Sequence, residues 1–191
     1  MPKPRIAGGF SNATVDPRIP AMMAKMRQEA TGFVYVNCWH MNLAESMAMW
    51  KLYARSNEAV AIRSTFRRLV DEVPDGSEVF AGTIKYVDFE RETIPEGNML
   101  YPFTHKRLSF EHEREVRLVW FSPLLATVNE REGSVFPAGI PLPIDIDRLI
   151  ESVYVAPTAS TWFRELIERV LSRYGSRLPV VQSALDAQPV Y

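Results

Sequence analysis

This chain of 191 residues has one cysteine, Cys38. An internal disulfide is therefore excluded, and with no signal peptide in view the expected setting is a reducing cytoplasm. No apolar run approaches the roughly 20 residues that cross a bilayer, so a membrane is not an expected partner. Positive charge is not in excess, because 22 Lys and Arg stand against 23 Asp and Glu, a net charge of -1. Proteins that bind duplexes usually carry a basic excess, so nucleic acid is not expected either. Gly-rich phosphate loops and Gly-x-Ser-x-Gly elbows are missing, and Gly8-Gly9 stands alone. No linker, internal repeat or low-complexity stretch divides the chain. The expected organisation is one domain over residues 1–191, with an irregular arm at 1–16 rich in Pro, Gly, Ser and Asn.

What is present is the balance of a folded domain, 47% apolar and 24% charged. A chain of this length can bury roughly 70% of its unfolded surface without a disulfide or metal staple. Pro20 opens an expected helix Ala21–Ala30 with Met22, Met23 and Met26 on one side, core filler or a partner face. Phe33–Trp39 is β-branched and aromatic and reads as a strand. Asn42 and Glu45 have the spacing of a capping box for a helix Leu43–Arg55, with Leu43, Met47, Trp50 and Ala54 toward the core. A second strand spans Ala59–Thr65, a helix Phe66–Val73 and a third strand Val79–Val87. Phe103–His112 is expected to be helical, and Ser122–Pro143 to be a long loop of the kind that forms lids or surface insertions. Strand Ile150–Ala156, a helix capped by Ser160 or Thr161 and stopped by Gly175, and strand Pro179–Ala184 complete the pattern. That helix is expected to pack through Phe163, Leu166, Val170 and Tyr174. The class is α+β, a single domain with a mixed β-sheet flanked by helices.

The most unusual stretch is Phe103–Phe121, which begins as a crowd of ionisable side chains and runs into an apolar strand. Period two puts Glu113, Glu115, Arg117, Val119 and Phe121 on one face, and Arg114, Val116, Leu118 and Trp120 on the other. Acids at the head of a buried strand are costly unless paired or used. Two accounts stay open: a salt-bridge cluster closed by Arg117, or a cleft in which Glu115 is the working carboxylate. Cys38 and His40 point to one side of the first strand. With His105 and His112 they match no zinc spacing, and no metal is expected. Cys38 reads as a small buried hydrophobe rather than a nucleophile. Trp39, Trp50 and Tyr53 read as core aromatics, with one of the three a secondary candidate to line a ligand pocket.

Two motif groups carry a resemblance. One is Asn37-Cys-Trp-His with Glu45-Ser46, Met49-Trp50, Tyr53-Ala54 and Ala59-Val-Ala-Ile62; the other is His105-Lys106 with Phe110-Glu-His-Glu-Arg-Glu-Val-Arg-Leu-Val119. Together they resemble the bacterial domain-of-unknown-function family numbered 2971, over roughly residues 33 to 185. Glu58-Ala59 stands where that family has a strand-leading glycine, and its aromatic-rich opening is not seen. The family name implies no activity. Separately, Glu113-Arg-Glu-Val116 resembles the Glu-x-Glu strand of ADP-ribosyltransferases. That resemblance implies NAD as substrate. His40 at the end of the first strand and Ser64-Thr65 at the end of the second would hold it, with Tyr53 as a further cofactor-binding candidate. Glu115 would stabilise the positive charge that develops as nicotinamide leaves, and Glu113 would orient or deprotonate the acceptor. The first strand carries no Arg, and Arg63-Ser64-Thr65 is not Ser-Thr-Ser.

Three functions follow as expectations. The first is an NAD-dependent ADP-ribosyltransferase-like or NAD glycohydrolase-like effector. The second is a non-catalytic ligand- or partner-binding module whose charges are structural. The third is a His-dependent hydrolase or nuclease. The first two are separated by geometry: a transferase needs His40, Ser64 and Glu115 around one cleft, whereas a structural cluster has Glu115 and Arg117 paired and covered.

Overall fold

The computed structural model describes residues 34–95, 98, 100–121 and 137–186. The arm 1–16, the Met-rich helix Ala21–Ala30 and most of the loop Ser122–Pro143 lie outside these residues. In chain order the elements are β1 (Val34–His40), α1 (Met47–Tyr53), β2 (Val60–Arg63), α2 (Phe66–Asp71), β3 (Val79–Thr83), β4 (Lys85–Val87), α3 (Tyr101–Thr104), β5 (His105–Arg107), a 3-10 turn (Leu108–Glu113), β6 (Glu115–Phe121), α4 (Ile146–Leu149), β7 (Ser152–Val155), α5 (Thr161–Arg173) and β8 (Val180–Gln182). The class is α+β, as the sequence predicts. Among the described residues both strand directions occur, spread over three small sheets. Internal contacts group the chain into two compact units, Met1–Met41 with Asp75–Leu142 and Asn42–Pro74 with Pro143–Tyr191.

The first unit is built on β6. It is the middle strand of an antiparallel sheet ordered β1-β6-β3. Val116 and Leu118 on one face and Glu115 and Val119 on the other are all buried, the condition of a strand covered on both sides. The expected third strand, Val79–Val87, breaks at Ile84. There the amide donates to the Glu115 carbonyl at 2.9 Å, after which Lys85–Val87 turns away to pair in parallel with β5. That pairing also corrects the expected helix Phe103–His112. Only Tyr101–Thr104 is α-helical, because His105–Arg107 is drawn out as a strand before the 3-10 turn begins.

In the second unit, β7 is the middle of a sheet ordered β2-β7-β8, antiparallel to β2 and parallel to β8. Helix α1 starts later than the capping-box spacing predicts. Ser46 is its cap, accepting from the Met49 amide, while the Glu45 carboxylate accepts from the Trp50 indole at 3.2 Å. Leu43, expected in the core, is fully exposed. Helix α2 and helix α4 are tied by Glu72, which takes the Arg148 guanidinium at 2.9 Å and the Asp145 amide at 3.1 Å. Helix α5 ends as expected. Gly175 has φ 77, and the Ser176 and Gly175 amides bond back to Leu171 and Ser172, the Schellman closure that a left-handed glycine permits.

The phase of α5 differs from expectation. Phe163, Ile167 and Leu171 are its half-buried residues, whereas Leu166, Val170 and Tyr174 are exposed. Its apolar arc is wider than the part the sheet covers. Val155, by contrast, is 0% exposed at the centre of the second unit's core. Val155→Ala should therefore cost about 2–3 kcal/mol and Leu166→Ala less than about 1 kcal/mol. Urea denaturation of the two variants checks this, and equal losses would contradict the assigned helix face.

Candidate functional site

The acids and bases of Phe103–Phe121 come together at the head of β6, inside the first unit. The register of β1 on β6 sets His40 opposite Glu115 and Cys38 opposite Arg117, so all four share one face. Glu113 joins them from the end of the 3-10 turn. Between the two acids Arg114 adopts the left-handed conformation, φ 41 and ψ 54. A non-glycine residue there costs about 1–2 kcal/mol. The carbonyl of Arg114 accepts the Met41 amide at 2.9 Å, which continues the β1–β6 ladder across the kink.

The Glu115 carboxylate is engaged at both oxygens. Lys106 Nζ donates to Oε1 at 2.6 Å and Arg117 Nε donates to Oε2 at 2.7 Å. Lys106 also donates to Glu113 Oε2. Arg117 reaches on to the Phe103 carbonyl at 2.7 Å, and Lys106 lies 4.6 Å from the Phe110 ring centre. The Glu115 amide donates to the Tyr86 hydroxyl at 2.8 Å. Glu113 and Glu115 are each 7% exposed. Two carboxylates that water barely reaches and two partly exposed cations thus form a charge-neutral, hydrogen-bonded group, the arrangement that lets buried acids persist.

The electrostatics follow from these contacts. Burial pushes the Glu115 carboxyl up, but the ionic hydrogen bonds from Arg117 and Lys106 outweigh it and hold the group well below the usual carboxylate range. Burial pulls Lys106 and Arg117 down, and their carboxylate partners raise both above their ordinary values. Desolvation pushes the Cys38 thiol up, with Arg117 opposing and Glu115 reinforcing. A thiol held protonated is a poor nucleophile. Cys38 is exposed, not the buried hydrophobe expected.

His40 carries an unengaged ring nitrogen on this face. Its Nδ1 lies 2.7 Å from the Glu113 carbonyl, which can only accept, so Nδ1 carries the proton. Nε2 is buried and has no hydrogen-bond partner among the described residues.

Of the residues singled out from sequence, His40, Glu113 and Glu115 meet in the first unit. Ser64 and Tyr53 belong to the second. Ser64 Oγ donates to the Leu149 carbonyl at 2.6 Å, and Tyr53 is 65% exposed at the end of α1. Tyr86 was not singled out from sequence, and Lys106 only within the motif His105-Lys106, without a role at the site. The charge count called for a second cation, since two acids on a buried face need two and Arg117 supplies one, but not for Lys106 in particular. Among the described residues no group of three His, Cys, Asp or Glu is placed to hold a metal ion. Comparison with family models, with curated proteins and with solved structures gave no match.

Because the folded-state pKa of Glu115 lies below its unfolded value of about 4.3, its stabilisation is fully present above that value and is lost as pH falls toward the folded one. Stability measured by urea from neutral pH down to pH about 3 should therefore fall less steeply for Glu115→Gln than for the parent chain. Parallel profiles would mean that Glu115 carries no depressed pKa.

Proposed function

We propose that this chain is a non-catalytic binding module and that the charged group at the head of β6 is a structural clasp. The observation that carries this reading is the state of Glu115, with both carboxylate oxygens taken by Lys106 and Arg117 and 7% of the residue exposed. A general base needs a lone pair directed at substrate, and an electrostatic catalyst needs uncompensated negative charge beside the developing cation. Here the charge is already neutralised within the protein. Removing one partner of such a group leaves another buried and unpaired, at a cost of about 3–5 kcal/mol.

A second reading keeps the NAD chemistry that the Glu-x-Glu resemblance implies, as an ADP-ribosyltransferase-like or NAD glycohydrolase-like activity. His40 favours it, because its Nε2 is unpartnered and it stands opposite Glu115 in the register. In that reading Glu115 and Glu113 are the catalytic acids and His40 contacts the dinucleotide, all within the first unit. Nothing specific favours a hydrolase or nuclease.

One experiment separates the two. The parent chain and Glu115→Gln are incubated with labelled NAD, with and without cell extract, and nicotinamide release, labelled macromolecules and melting temperature are scored. The binding-module reading expects no turnover by the parent and a lower melting temperature in the variant. NAD turnover by the parent that disappears in a variant of unchanged melting temperature would establish the catalytic reading instead.

A further inference from the structure

Helix α5 buries none of its residues. At 100° per residue, Phe163, Ile167 and Leu171 form the inner, half-buried side, and Trp162, Leu166 and Val170 form a shoulder beside it. That shoulder is 55%, 43% and 42% exposed, and Tyr174 at the end of the helix is 84% exposed. Single exposed apolar residues mean little, but a row at i, i+4, i+8 on one helix is a contact surface.

The charges bordering the shoulder point to what it meets. Along its outer edge run Glu165, Arg169 and Arg173, acid toward the N-terminus and base toward the C-terminus. This order is complementary to itself when reversed. Two copies of α5 packed antiparallel about a two-fold axis near Leu166 set Trp162 of one against Val170 of the other. They also bring Glu165 of each within a helical turn of Arg169 of the other. The ion pair that Arg169 makes within its own helix, to Glu165, is long at 3.9 Å, and the two side chains are 82% and 55% exposed. Both are free to exchange that weak surface contact for one across an interface. The pair Arg164–Glu168, at 3.0 Å, lies on the side away from the shoulder and is not needed.

We propose that the partner of this surface is a second copy of the same chain, joined through antiparallel α5 helices with Trp162, Leu166 and Val170 at the centre and Glu165–Arg169 pairs at the edge. The proposal names a partner and does not depend on the charged group of β6. One helix face is smaller than the roughly 800 Å² per partner of a standard interface, so the dimer is a weak one.

Sedimentation equilibrium of the full chain from about 10 μM to about 1 mM spans the affinities such a contact can have. Reversible dimerisation is expected, weakened at least about tenfold by Leu166→Glu, with the circular dichroism spectrum unchanged. Glu165→Arg alone and Arg169→Glu alone should each be monomeric, since each sets like charges across the axis. An equimolar mixture of the two should dimerise, because every edge pair is then opposite in sign. Charge effects confined to a single helix cannot produce that rescue by mixing. A parent chain that stays monomeric over the whole range, a dimer indifferent to Leu166→Glu, or a failure of the mixture to associate would each overturn the proposal. NAD turnover bears on the function of the first unit and leaves this result untouched.

Discussion

The first unit depends on one constraint: carboxylates placed at the head of a buried strand must be neutralised where they stand. Glu115 lies in β6, whose other residues are apolar or aromatic apart from Arg117, and an isolated charge there would be lost to its own desolvation. The local architecture answers that demand. Strand β5 pairs with β4 and brings in Lys106, the 3-10 turn returns Glu113 to the same ammonium, and Tyr86 receives the Glu115 amide. The left-handed Arg114 lets the chain pass from turn to strand while both acids keep their partners. Three short elements that local propensity would hardly sustain are thus tied to one strand by ionic contacts and by the Tyr86 hydrogen bond.

The same constraint shapes the functional reading. A carboxylate committed to two cations is a poor catalyst, and a thiol pushed toward its protonated form is a poor nucleophile. His40 stands apart, with its tautomer set by the Glu113 carbonyl and its second nitrogen unengaged. What this face leaves open is therefore one imidazole nitrogen beside a neutralised ion group. That makes the group a stronger candidate for holding the fold than for acting on a substrate.

Much of the fold was legible. The bounds of β6, the strand character of β1 and β7, and α5 with Ser160 before it and Gly175 after it all follow from apolar patterning and stop signals. The misses share a cause. The break at Ile84 and the conversion of His105–Arg107 to a strand depend on partners distant in sequence, which periodicity does not register. Leu43 lies outside its expected helix because Glu45 serves the Trp50 indole, and Ser46 caps the helix one turn later. For α5 the sequence defines an apolar arc but not which part of it meets β8, so the exposed Leu166 and the half-buried Ile167 were equivalent until the structure separated them. At the site, the face shared by Glu115 and Arg117 was readable from period two, whereas the contribution of Lys106 required tertiary contacts.

The central claim is that Lys106 and Glu115 stabilise the fold as a coupled pair. A double-mutant cycle in urea with Lys106→Met, Glu115→Gln and the double variant tests it most directly. The account predicts two costly single substitutions and a double variant that loses less than their sum, with a coupling of at least about 1.5 kcal/mol. Additive effects within about 0.5 kcal/mol would contradict it, because two charges that close the same buried group cannot be removed independently.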